Sequence, residues 1–136
     1  MYEELINVIL SEKEALNKLL SLLDNQYSFI LKKDIFGLDD VANKIQACNK
    51  EIAEEEVKRR KLVGSNSMKE VVFSSGNERL EESYRDIIKL LEAVRLQKDT
   101  NDLLLKQQLS YTNQMLTYIN PNREMKTYNS YGKMSR

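Results

Sequence analysis

The 136-residue chain has no histidine and no tryptophan, one cysteine, one proline and four glycines. Each shortage removes a class of chemistry. Without histidine there is no Ser–His or Cys–His nucleophile pair, and no imidazole to bind zinc or complete a di-iron bundle site. Cys48 stands alone, so neither an intrachain disulfide nor a CxxC redox motif exists. No glycine-rich dinucleotide fingerprint or P-loop is present to cradle a phosphate. Carboxylates are plentiful, as at Glu54, Glu55 and Glu56, but consecutive residues on a helix point in different directions. The chain therefore reads as a non-enzyme, with no cofactor and no metal site expected.

An excess of one charge is also missing. Lysine plus arginine number 21 and aspartate plus glutamate number 21, for a formal net charge of zero. A nucleic-acid partner needs a basic footprint, so none is expected. The run VKRRK follows a triple acid and reads as a helix end, where cations suit the carbonyl dipoles. No apolar run approaches the roughly 18 residues of a membrane span, so no membrane insertion is expected. The opening, MYEELINVILSEKE, is acidic where a signal peptide would be basic. The reading is of a folded start and a cytoplasmic protein.

What remains is long helices. Charged residues make up 31% of a chain with few breakers, and those breakers fall where the pattern changes. The expected fold is all-α: an antiparallel up-down-up three-helix bundle or coiled coil, with a long third helix and a flexible C-terminal tail. The helical domain would span 1–120, with helices at about 2–33, 35–63 and 78–119, and the tail would be 121–136. The first seam runs Leu5, Ile9, Glu12, Leu16, Leu19, Leu23, Gln26 and Ile30, in alternating steps of four and three. The second runs Leu38, Val41, Ile45, Cys48, Ile52, Glu55, Arg59 and Leu62. The third includes Leu80, Ile87, Val94, Lys98, Asn101, Leu105, Gln108, Met115 and Ile119. Asp34 is placed to cap the second helix, Gly64 to stop it, and Pro121 to end the third. Residues 64–77 read as a loop, with KEVVF as an apolar plug, a brief strand or a turn. Ser75 and Glu78 have capping-box spacing for the third helix.

Several seam positions are polar. With the first hairpin turning near Asp34, Glu12 falls near Glu55 and within a turn of Arg59. A Glu12–Arg59 or Glu55–Arg59 pair would fix hairpin register. The plainer reading is that this end of the bundle is wet, where an exposed pair contributes only ~0–1 kcal/mol. Cys48 reads as a small buried apolar residue. Asn101 is the candidate register residue: one asparagine in an apolar seam specifies alignment and partner at a cost in stability. On that reading, Asn101→Leu stabilises the chain.

The third helix is the longest, roughly 63 Å against roughly 45 Å for each of the others. Its far end carries two apolar columns, one of Leu104, Tyr111, Met115 and Tyr118, the other of Leu105, Leu109, Leu116 and Ile119. If the hairpin is too short to cover them, they form an exposed apolar patch, which usually marks an interaction site. Three covers are open: the loop at 64–77, a second copy of the chain, or a different protein. Self-association would make the chain a coiled-coil adaptor or scaffold.

Four stretches together resemble one family. They are LNKLLSLLDNQYSFILKKD, NKIQACNKEIAEEEVKRRKLVG, LQKDTNDLLLKQQLSYTNQML and the tail with Tyr128 and Gly132. The third is similar to an Asn-x-x-Leu-Leu pattern followed by Leu-x-Tyr, here Asn101, Leu104, Leu105, Leu109 and Tyr111; the tail is similar to a Tyr-x-x-x-Gly ending. On these residues the chain resembles the FlgN-type flagellar export chaperones over nearly its whole length. Two departures are Gly37 in the first turn of the second helix and a second tail tyrosine, Tyr131. The resemblance implies a cytoplasmic chaperone that binds hook-associated proteins, prevents their early assembly and delivers them to the type III export gate. It implies cargo contacts in the C-terminal part, hence at Leu105, Leu109, Tyr111, Met115, Leu116, Tyr118 and Ile119. It also implies that Tyr128 or Tyr131, with Lys126 and Lys133, touches the cytoplasmic domain of the membrane gate protein.

Overall fold

The computed structural model describes residues 2–119. They form four α-helices, α1 (Glu3–Lys32), α2 (Ile35–Val63), α3 (Met68–Ser74) and α4 (Glu78–Ile119), with no strand among the described residues. Two compact units divide the chain, Met1–Asn101 and Asp102–Arg136.

In the first unit, α1 supplies most of the core. Leu5, Ile6, Ile9, Leu16, Leu19 and Leu23 are all buried, as the four-three spacing requires of one helix face. They join Cys48 of α2, Val72 of α3, and Leu80, Ile87 and Val94 of α4 in one apolar cluster. Ion pairs give the directions of packing. Glu12 meets Arg59 at 3.0 Å and Lys18 meets Glu51 at 3.2 Å, so α2 descends as α1 ascends. Glu3 meets Arg79 at 2.9 Å, Lys13 meets Asp86 at 3.4 Å, and the Leu23 carbonyl meets Asn101, so the first-unit part of α4 ascends with α1.

The tight α1–α2 turn has a local explanation. Lys33 adopts the left-handed conformation, with φ 57°, and ends α1. Asp34 donates its N–H to the Phe29 carbonyl at 3.0 Å, while its carboxylate accepts the Gly37 N–H at 3.0 Å, capping α2. Gly37 lies flat against the Phe29 ring: a Cβ there would sit 2.6 Å from Phe29 Cδ1. Glycine at position 37 thus has a steric cause in this chain.

Three sequence expectations are corrected. The segment 64–77 is not a plain loop, because α3 occupies Met68–Ser74 and makes the helices four, not three. The Ser67 hydroxyl accepts the Glu70 N–H at 3.1 Å and starts it, and Val72 is fully buried, so the apolar plug is helical. The cap of α4 is Asn77, whose side-chain oxygen accepts the Leu80 N–H at 3.1 Å; the Ser75 hydroxyl instead accepts from the Asn77 N–H. The Glu12 end is not wet: Glu12 is only 4% exposed and accepts from Arg59 Nε.

Burial pushes the Glu12 carboxyl above the usual glutamate range, although the Arg59 charge and hydrogen bond pull the other way. Burial likewise raises the Cys48 thiol, which donates to the Ala15 carbonyl at 3.3 Å and packs as a small core residue. Glu55, by contrast, is held below the usual range by the Ser11 hydroxyl and Lys58.

Two outcomes follow from this packing. A raised Glu12 value means the folded state holds that proton more tightly than the unfolded chain. Its contribution is complete below the unfolded value of 4.5 and is lost as pH rises through the folded one. Wild type should therefore gain stability on Glu12→Gln as pH falls from 7 toward 4.5, whatever their offset at neutrality, in paired urea melts. Gly37→Ala should lower stability by ~1–3 kcal/mol despite its better helix propensity, because the new methyl overlaps the ring. Adding Phe29→Leu should recover part of that loss in thermal melts.

Candidate functional site

The last residue of the first unit is its most constrained polar group. Asn101 has no solvent exposure. Its amide nitrogen donates to the Leu23 carbonyl at 2.8 Å and to Gln26 Oε1 at 2.9 Å. Its carbonyl oxygen accepts from Gln97 Nε2 at 2.9 Å. This layer ties α4 to α1 at one level, because a slip along the seam would part the buried Asn101 amide from Leu23 and Gln26. It reverses the expectation for Asn101→Leu: leucine supplies none of these bonds, so the exchange is destabilising.

The second unit is described for residues 102–119, all on α4. Only Asp102 and Lys106 carry charge there. The apolar residues are largely in water. Leu109 is 62% exposed, Met115 42%, Tyr118 85% and Ile119 74%; Tyr111 is also exposed, and Leu105 and Leu116 are half-buried. All seven residues named from the sequence therefore lie on one helical stretch. The opposite side, with Lys106, Ser110, Asn113, Gln114 and Thr117, is polar and forms a shallow hollow that reaches Leu109. A nearly uncharged helix with an exposed apolar side is suited to receive another apolar helix.

A family model described as FlgN protein matches residues 1–136. The chain belongs to the FlgN family. The FlgN family is one of flagellar export chaperones, and its members bind hook-associated proteins. No curated protein and no solved structure matches the chain.

The first unit of this FlgN family member also carries a hollow on its surface. The hollow between α1 and α2 is lined by Glu14, Glu51, Glu54 and Glu55, with Lys18 and Lys58. Its charges are largely matched, Lys18 to Glu51 at 3.2 Å and Lys58 to Glu55 at 3.0 Å. Among the described residues, no group of three or more acidic or cysteine side chains is placed to hold a metal ion. None of the described helices is long and apolar enough to cross a membrane. The gate-docking candidates Lys126, Tyr128, Tyr131 and Lys133 lie outside the described residues, as does the tail at 121–136.

Sequence reasoning passed over two features. One is the pair of glutamines flanking Asn101: only Gln26 lay in a seam, and Gln97 is reached through the four-residue helical step to Asn101. The other is the α1–α2 turn, where Leu31, Ile35 and Phe36 are exposed. Its signal was the Ile-Phe pair directly after the capping Asp34.

Asn101→Leu should cost about 1–3 kcal/mol in urea unfolding, since the half-buried Gln26 and Gln97 lose their partner. Higher stability in the variant would restore the view of Asn101 as a register device that weakens the fold.

Proposed function

We propose that this chain is a cytoplasmic, non-enzymatic export chaperone that holds a flagellar hook-associated protein before secretion and delivers it to the type III export gate. Family membership supports the class of function. The observation that carries the binding mode is the exposed apolar side of residues 102–119, above all Leu109, Met115, Tyr118 and Ile119. On this reading the first unit is the scaffold, an up-down-up bundle of α1, α2 and the first part of α4. Leu105, Leu109, Tyr111, Met115, Leu116, Tyr118 and Ile119 take an apolar helix of the cargo. Four or five such side chains yield about 6–15 kcal/mol gross when buried. Association costs return several kcal/mol, leaving a complex in the micromolar to nanomolar range. The tail residues Tyr128 or Tyr131, with Lys126 and Lys133, make the gate contact, tyrosine being a frequent hot-spot residue.

One experiment with two arms tests this. Met115→Asp combined with Tyr118→Asp should abolish capture of hook-associated proteins while circular dichroism stays helical. Deleting residues 122–136 should leave capture intact and impair export. Undiminished capture by the double variant moves the site elsewhere, and normal motility after the deletion removes the tail from the mechanism. Light scattering of the chain alone should show no concentration-dependent assembly, which a self-assembling scaffold requires.

A further inference from the structure

The exposed band on residues 102–119 is wider than one helix can cover. At about 100° per residue, it runs from Tyr118 through Met115, Ile119 and Leu116 to Leu109, an arc of about 180°. A coiled-coil seam facing a single partner is narrower, and even a core-facing stripe is on the order of 100°. Both margins are in water: Tyr118 at 85% and Leu109 at 62% exposure, with Ile119 between them at 74%. One helix, whether a peptide or the same band of a second copy, covers one margin and leaves the other wet.

Continuity with the interface inside the first unit says what kind of partner covers both. There, α4 residues spaced by seven, Leu80, Ile87 and Val94, share one cluster with side chains of both α1 and α2. The same spacing passes through Asn101 to Gln108 and Met115. A repeat that shares one core with two other helices in the first unit continues, in sequence, into a stretch with a two-helix-wide apolar band. We propose that the occupant of this band is a pair of amphipathic helices, packed as α1 and α2 are packed, one on each margin. The inference rests on the cargo-binding reading and specifies its partner: an apolar helical hairpin or helix pair within one hook-associated protein. With only Asp102 and Lys106 charged, the band selects that partner by shape and apolar area and not by charge.

The test uses the full chain, with a photo-crosslinking benzoylphenylalanine at position 109 or, separately, at 118. Each form is mixed in turn with the purified hook-associated proteins of the same cell, irradiated, and mapped by mass spectrometry. The expected result is that the two positions mark two different helical segments of one cargo molecule. In parallel, Leu109→Ser and Tyr118→Ser should each weaken cargo binding at least tenfold by calorimetry, since each margin has its own helix. Crosslinks from both positions to one continuous helix, loss of affinity at one margin only, or crosslinks to a second copy of the chain would overturn the two-helix inference while leaving a partner-binding band. Failure of the unmodified chain to bind any hook-associated protein would overturn the chaperone reading itself, and the inference with it.

Discussion

The apolar seam of α1 is the constraint on which the first unit depends. Ile6, Ile9, Leu16 and Ile30 are almost wholly removed from water, and each such side chain contributes ~1.5–3 kcal/mol on burial. No other helix here is as well supplied. In α2 only Val41 and Cys48 are buried, so it holds to α1 through these, the partly buried Ile45 and Ile52, and two ion pairs, the exposed Lys18–Glu51 and the buried Glu12–Arg59. The seven-residue α3 adds Val72 and little more to the core. The rest of the unit is thus organised by what packs against one leucine-rich helix.

Polar groups inside that seam set alignment where greasy side chains alone would tolerate slippage. Heptad leucines look alike from one turn to the next, and a shift of seven residues restores most contacts. Glu12 with Arg59, and Asn101 with Leu23 and Gln26, do not survive such a shift. The two sites differ in cost. Asn101 is neutral and fully bonded, so its burial is nearly offset. Glu12 is a buried carboxyl whose desolvation outweighs the pull of Arg59 and holds it above the usual glutamate range. The first acts as a lock; the second is a tolerated expense of matching α1 to α2.

The proposed docking of an apolar helical partner needs apolar helix surface held ready and not self-consumed. Residues 102–119 have that character: many apolar side chains, two charges, and exposure over much of the band, with Leu104, Leu105 and Leu116 half-buried. An α-helix holds such surface in order most readily when it is long enough to sustain its own hydrogen bonds. α4, at 42 residues, extends a helix already nucleated and packed in the first unit, so the later turns avoid the nucleation penalty.

Helix identity and much of the pairing were legible in the residues, because heptad spacing, Asp34, Gly64 and the near-absence of proline act through local geometry. The helical seams rest on periodicities of a few residues, and the family likeness on the block from Asn101 to Tyr111 and the tail with Tyr128 and Gly132. Three matters belonged to the tertiary structure. Whether Asn101 weakens or strengthens the fold depended on Gln26 and a Leu23 carbonyl 75 and 78 residues away in the chain. Whether KEVVF would be strand, turn or helix depended on a buried place for Val72 beside α1. Whether Glu12 would be wet depended on how closely α2 approached it. Spacing along a chain determines which side chains share a face; only packing in three dimensions decides which faces lose their water, and that loss sets the energies.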